Sequence, residues 1–215
     1  MIIMSSVSTL PDPMSPPDGV VNYKMKRYSH FDQRAVDFLE HRLLEKILLK
    51  TGIDRGSILN VPCGYGRFSE ILQNHCTRLV YYDLHPKMVS ICSEEWGGSG
   101  RDFINGSIRN LPFKDGSFDI VICIRLFHHF FPSHDRFNII SELARVSRRF
   151  VLLTYYRKNA LHSLMRSINK KGHRIIMMSR EGFYTELNSA GLRPLIERSI
   201  VPVVHAQRFV LSIKS

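Results

Sequence analysis

The sequence predicts a doubly wound α/β fold, a largely parallel sheet with helices on both faces. Two observations carry that expectation. From residue 57 onward, short runs rich in β-branched and aromatic residues alternate with longer stretches of helical periodicity. The run FDIVICI at 118–124 is mostly apolar on both faces, as a central strand covered from both sides must be. At 215 residues with 44% hydrophobic and 23% charged content, the composition suits one domain with a full core.

Residues 1–22 are rich in Ser, Pro and Asp, contain no Lys or Arg, and read as a flexible leader. A single domain is expected over 23–215, opening with a cap helix within 23–50. That helix begins near Asp32, because Ala35, Phe38, Leu39, Leu43, Leu44, Ile47 and Leu48 recur at helical spacing, and ends near Gly52. Strands are predicted at 57–61, 78–83, 102–107, 118–124 and 150–156. Helices are predicted near 67–75, 86–94 and 135–146, with Pro86 suited to a first helical turn. A helical segment near 159–169, a helix near 180–190 stopped by Gly191, and strands at 195–201 and 207–213 complete seven strands.

Several function classes are excluded or disfavoured. No apolar stretch approaches the ~18 to 20 residues that span a bilayer. The amino terminus lacks the basic flank of a secretory signal. Cys63, Cys76, Cys92 and Cys123 form no CxxC pair, so a reduced, cytoplasmic protein is expected, without a zinc knuckle or disulfide framework. No His pair has the spacing of a zinc site, so no metal is expected.

Thirty Lys and Arg against 19 Asp and Glu give a net charge of +11. The segment 145–180 holds ten of those basic residues and no acidic one: Arg145, Arg148, Arg149, Arg157, Lys158, Arg166, Lys170, Lys171, Arg174 and Arg180. Such a run is either a solvated face or a surface for something anionic.

The first strand leads into ILNVPCGYGRFSEIL. Gly64 and Gly66 there would let the backbone approach a ligand closely. Ser69 stands where a dinucleotide fingerprint has its third glycine. Asp83 ends the next strand 17 residues after Gly66, near the offset at which a carboxylate grips a ribose diol. Capping of the next helix is the alternative.

The segments VPCGYGRF, YYDLHPKMV, GSIRNLPFKDGSFDIVICIRLFHHF and EGFYTELNSAGLRPLIER together resemble the small, single-domain class I S-adenosylmethionine-dependent methyltransferases, from about Ile58 to the C-terminus. The resemblance implies a Rossmann-like seven-stranded sheet whose last strand is antiparallel, with S-adenosylmethionine as cofactor and S-adenosylhomocysteine as product. It implies that Asn60, Pro62, Gly64 and Gly66 line the cofactor and that Asp83 binds the ribose. Leu84 and Met88 would pack on adenine, Ser107 and Ile108 would read its edge, and Ile124 and Arg125 would flank the methyl group. Three positions depart from the family. Its acidic residue in strand one is Asn60, its first glycine is Pro62, and its Asp after strand three is Ser107. These retain hydrogen bonding at Asn60 and Ser107 but no charge assistance.

His128 and His129 follow strand four, where the family faces its substrate. Either is a candidate general base, and packing or capping is the alternative. Tyr28, Tyr155, Tyr156, Arg157, Lys170, Lys171, Arg174 and His205 are candidate substrate contacts, with surface or packing roles as the alternative for the tyrosines and His205. The basic segment falls where the family carries a substrate lid. It implies an anionic acceptor, small or lipid-linked, with peripheral contact at the inner face of a membrane. An RNA methyltransferase and a non-catalytic binding protein on the same fold are the alternatives. A dehydrogenase is the poorest fit.

Overall fold

A computed structural model describes residues 31–129, 133–158, 176–201 and 206–215. Helix α1 (Phe31–Thr51) precedes β1 (Gly56–Asn60), α2 (Ser69–Asn74), β2 (Cys76–Asp83), α3 (Pro86–Trp96), β3 (Arg101–Asn105) and β4 (Phe118–Cys123). A short 3₁₀ turn (Phe127–His129) leads to α4 (Ser133–Val146), β5 (Ser147–Tyr156), α5 (Arg180–Ser189), β6 (Leu192–Arg198) and β7 (Gln207–Lys214). The seven strands form one sheet in the order β3-β2-β1-β4-β5-β7-β6. The first five run parallel, and β7 is antiparallel to both β5 and β6, as the family resemblance implied.

Strand alternation divides the core in two. Leu59, Val80, Val121 and Val151 face α4 and α5, where Ile139, Leu143, Phe183 and Leu187 are buried. Ile58, Leu79, Ile120 and Leu152 face the other layer, with Leu44, Ile47 and Leu48 of α1 and Leu72 of α2. The FDIVICI run is apolar at five of six positions after its Phe because each face meets a helix layer. Burying an Ile or Val there contributes about 1.5–3 kcal/mol over leaving it exposed.

Some boundaries differ from the sequence reading. Strand β5 starts at Ser147 rather than 150, because Ser147 pairs with Phe118 before the apolar run begins. Strand β6 spans Leu192–Arg198 rather than 195–201. Gly191, at φ +73°, turns the chain straight from α5 into the sheet, and Pro194 is tolerated because β6 is an edge strand with a register shift there. The predicted helix near 159–169 lies outside the described residues.

Strand order reverses between β1 and β4. Their carboxyl ends therefore open a crevice, which in such sheets is the natural ligand position.

Candidate functional site

The loop after β1 extends the sheet one step beyond its strand. Val61 N–H donates to Ile122 O at 2.9 Å and Cys63 N–H to Tyr82 O at 3.0 Å, so the turn is anchored to β4 and β2 together. Gly64 (φ +56°) and Gly66 (φ +84°) are left-handed, where a side chain is strained. A Cβ on Gly64 would meet no atom within 4 Å. At Gly66 it would fall 2.5 Å from Trp96 Cδ1. Gly64 thus presents bare backbone to the crevice, and Gly66 lets α3 pack.

Asp83, at the end of β2, is buried, and both its oxygens accept backbone N–H groups. Oδ2 accepts from Gly64 at 2.8 Å and Oδ1 from His85 at 2.9 Å. The second bond is a local turn at the start of α3, and the first reaches across to the glycine loop. Burial raises the Asp83 carboxyl above its ordinary value, outweighing the His85 and Gly64 donations that lower it. Asn105, which the sequence reading did not single out, donates to Asp83 O at 2.9 Å and Leu84 O at 2.8 Å and so fixes the mouth of β2.

The other residues assigned to the cofactor are arranged unequally. Asn60 is buried at the end of β1, and Pro62 follows Val61 through a cis peptide. Met88 is 3% exposed whereas Leu84 is 62% exposed, so the two expected adenine contacts separate into a core residue and a surface one. Ser107 is exposed, its oxygen accepting from Tyr82 Oη at 3.2 Å, and Ile108 packs against the β-sheet core beside it. Ile124 is buried at the end of β4.

Arg125 is a left-handed non-glycine residue (φ +61°) whose N–H donates to Thr154 Oγ1 at 2.7 Å. Its guanidinium reaches Glu40 of α1, Nη2 to Oε2 at 2.8 Å and Nε to Oε1 at 3.2 Å. Arg67, just after Gly66, donates to the same Glu40 carboxylate and to Asp37 Oδ1, the latter at 2.6 Å. Glu40 has no exposed side-chain surface. Burial pushes its carboxyl up, but the charges and hydrogen bonds of Arg125 and Arg67 pull it down further, to below the ordinary glutamate value. The sequence reading missed Glu40, although a signal existed: it stands one helical turn before Leu44 on the stripe that buries Ile47 and Leu48.

The candidate bases lie on the 3₁₀ turn after β4. His129 is exposed; its N–H donates to Leu126 O at 3.0 Å. His128 is half-buried, its ring centroid 5.1 Å from Tyr156 and 3.9 Å from His129. Tyr155 takes the packing alternative. It faces the opposite layer, is fully buried, stacks on Phe183 at 4.2 Å and donates its hydroxyl to Glu197 at 2.9 Å. Successive strand residues point to opposite faces, so Tyr155 and Tyr156 enter different layers. Arg157 extends β5, its N–H donating to Ala206 O at 2.8 Å. Tyr28, Lys170, Lys171, Arg174 and His205 lie outside the described residues.

Among the described residues the basic run is not one surface. Arg145 pairs with Glu142 and Asp115, and Arg148 pairs with Asp119 at 2.7 Å, all near the amino end of β5. Arg157 and Lys158 leave its carboxyl end, about 30 Å away at ~3.3 Å per residue. Arg180 binds Glu197 at 2.6 Å. Asp115, Asp119 and Glu197, all outside the run, thus pair with three of its arginines.

The model of the methyltransferase domain family matches residues 59–153, from β1 to β5. Phthiotriol/phenolphthiotriol dimycocerosates methyltransferase 1 of Mycobacterium ulcerans is 33% identical over 100 residues, which are 46% of this chain and 36% of that protein. The methyltransferase YcgJ of Bacillus subtilis is 30% identical over 118 residues, 51% of this chain and 46% of its own. The chain thus aligns with little more than a third of its mycobacterial relatives. In three dimensions it resembles the magnesium protoporphyrin IX methyltransferase of Synechocystis PCC 6803, solved with bound S-adenosylhomocysteine. That likeness has TM-score 0.76 at 17% identity, covering 91% of this chain and 94% of the other. The PH0226 protein of Pyrococcus horikoshii OT3 gives TM-score 0.71 at 19% identity, over 91% and 99%. The chain has the fold of these methyltransferases, and its residues 59–153 match the methyltransferase domain family.

Proposed function

We propose that this protein transfers a methyl group from S-adenosylmethionine to an anionic, small or lipid-linked acceptor. The observation that carries the reading is the crevice at the strand-order switch. There the bare left-handed backbone of Gly64 and the buried Asp83 carboxylate meet beside the end of β4. Bare backbone suits close approach of a cofactor, and each Asp83 oxygen keeps a second lone pair with which to accept a ribose hydroxyl. Asn60, Pro62 and Gly66 complete the floor, Leu84, Met88, Ser107 and Ile108 the adenine side, and Ile124 and Arg125 the wall toward the acceptor. When bound, the cofactor supplies a methyl group on a sulfonium, ready for in-line displacement.

The chain's own contribution is positioning, which supplies most of the acceleration in such a displacement. Where the acceptor is a hydroxyl, His128 or His129 takes its proton. Tyr156, beside His128, orients that ring, and Arg157 adds positive charge at the same edge. Lys170, Lys171 and Arg174, with Tyr28 and His205, are assigned to the acceptor from sequence.

The mycobacterial relatives are named for lipid substrates, which favours a lipid-linked acceptor. Among the described residues no helix is long and apolar enough to cross a membrane, so such an acceptor would be met at a surface. The ion pairing of Arg145, Arg148 and Arg180 counts against a continuous nucleic-acid track, since a duplex or strand needs a run of free cations.

Calorimetric titration with S-adenosylhomocysteine tests the cofactor. Micromolar binding is expected, and none would leave the non-catalytic reading. Incubation with methyl-labelled S-adenosylmethionine and fractionated extract tests the acceptor. Label is expected in the lipid or anionic small-molecule fraction, and label in RNA would replace this assignment.

A further inference from the structure

Glu40 joins two stretches of chain that no strand pairing joins at that height. Arg67 belongs to the loop after β1 and Arg125 to the turn after β4, 27 and 85 residues from Glu40. Both donate to its single carboxylate, which has no exposed surface. Helix α1 grips the loop a second time through His41, whose Nε2–H donates to Arg67 O at 2.9 Å. A left-handed non-glycine residue persists only where its surroundings hold it. Arg125 is held at both ends, its N–H by Thr154 on β5 and its guanidinium by Glu40. With Asp37 the cluster contains two carboxylates and two guanidinium groups, and His41 Nδ1 lies 3.6 Å from Asp37 Oδ1.

We propose that Glu40 is a positioning residue that couples the glycine loop to the Arg125 turn, so that α1 sets both walls of the cofactor crevice together. The methyltransferase reading is needed only to say what the crevice binds, and the coupling stands on the contacts. Without the Glu40 charge, the two guanidinium groups would lose the buried carboxylate they share and would separate. Loop and turn would then loosen together, although they lie on different strands. If Glu40 merely fastened α1 to the sheet, only α1 would loosen.

Amide hydrogen exchange on the full chain separates these outcomes. Gly64, Gly66, Ser69 and Arg125 each carry a hydrogen-bonded N–H, to Asp83, Cys63, Gly66 and Thr154 respectively. In Glu40→Gln, which keeps shape and one acceptor oxygen, exchange should quicken at least about fivefold in both loop and turn, the low end of ordinary coupling between sites. Val121 and Val151 should be unchanged. Trp96, the only tryptophan, packs on Gly66, so its emission should shift in the same variant. Faster exchange confined to α1, or to only one of the two walls, would overturn the proposal.

Should Glu40→Gln not fold, Arg125→Lys keeps the charge and loses the two-point contact. Unchanged exchange at Gly64 and Gly66 in that variant would equally overturn it. The ligand arm uses S-adenosylhomocysteine, for which a roughly tenfold loss of affinity is expected in Glu40→Gln by the same coupling. Wild-type affinity in the variant would overturn the positioning role. Absence of binding by the wild-type chain would remove the methyltransferase reading, and the exchange data would still decide the coupling.

Discussion

Asp83 combines burial with two backbone donors, and the opposing effects make its behaviour testable. Replacing it by Ala should weaken S-adenosylhomocysteine binding about ten- to a hundredfold, since hydrogen bonds to a charged group contribute roughly 1.5–3 kcal/mol. Calorimetry reads that loss, and unchanged affinity would displace the ribose site. Its raised carboxyl also fixes the sign of a pH effect. The folded protein holds this proton more tightly than the unfolded chain does. The contribution to stability is therefore greatest in acid, and it falls as pH rises from the ordinary aspartate value through the raised one. Ribose hydroxyls need the ionised form as acceptor, so cofactor affinity should rise over that same window. In Asp83→Asn the step should vanish. Gly66 gives a second residue-scale test. Gly66→Ala places a side chain at φ +84° and drives its Cβ into Trp96, so urea denaturation should show a loss of at least about 1–2 kcal/mol. Glu40 belongs to this scale too, because one carboxylate governs two loops. Its spacing on the buried stripe of α1 was legible. Its partners were not, since Arg125 lies 85 residues away and no local pattern links them.

At the scale of elements, α5 and β6 form a support distinct from the crevice. Ser179 caps α5, its Oγ accepting from Gly182 N–H at 3.0 Å, and Glu197 on β6 accepts from Tyr155, Tyr184 and Arg180. Ser179→Ala should cost about 1 kcal/mol of stability, the usual value for a lost cap. Tyr155→Phe should lower stability by about 1–3 kcal/mol, because it removes one donor from a half-buried carboxylate. Cofactor affinity and turnover should stay at wild-type levels in Tyr155→Phe. A fall in turnover without loss of stability would return Tyr155 to the substrate pocket. Both tyrosines are pocket candidates from sequence because they stand at the end of the fifth strand. Strand alternation separates them, and only the position of Phe183 on α5 shows which face is core.

Across the whole molecule, charge follows two patterns. The carboxyls of Glu40, Asp119, Glu142 and Glu197 all lie below their ordinary values; the upward push of burial is overcome by arginines at Glu40 and Glu142, by Ser57 and then Arg148 at Asp119, and by the Tyr155 and Tyr184 hydroxyls and then Arg180 at Glu197. Their stabilisation is present above the unfolded-state values and is lost as pH falls through the folded ones. Thermal unfolding followed against pH should therefore show a steep loss of stability below about pH 4.5, with Asp83 opposing it in part. The basic run divides as well. Neutralising Arg148 and Arg149, at the amino end of β5, should leave turnover unchanged. Neutralising Lys170, Lys171 and Arg174 should lower turnover with cofactor binding intact, as paired activity and calorimetric assays would read. By itself the sequence determined the α/β class, the strand count, the glycine loop and the acidic end of β2. Each of these is written in hydrophobic period or in short motifs, which are local properties of a chain. The tertiary structure decided which arginines are neutralised, which tyrosine faces the core, and that α1 reaches both walls of the crevice through Glu40. Those depend on acids and bases far apart in sequence, and ion pairs carry no period that would announce them before the chain folds.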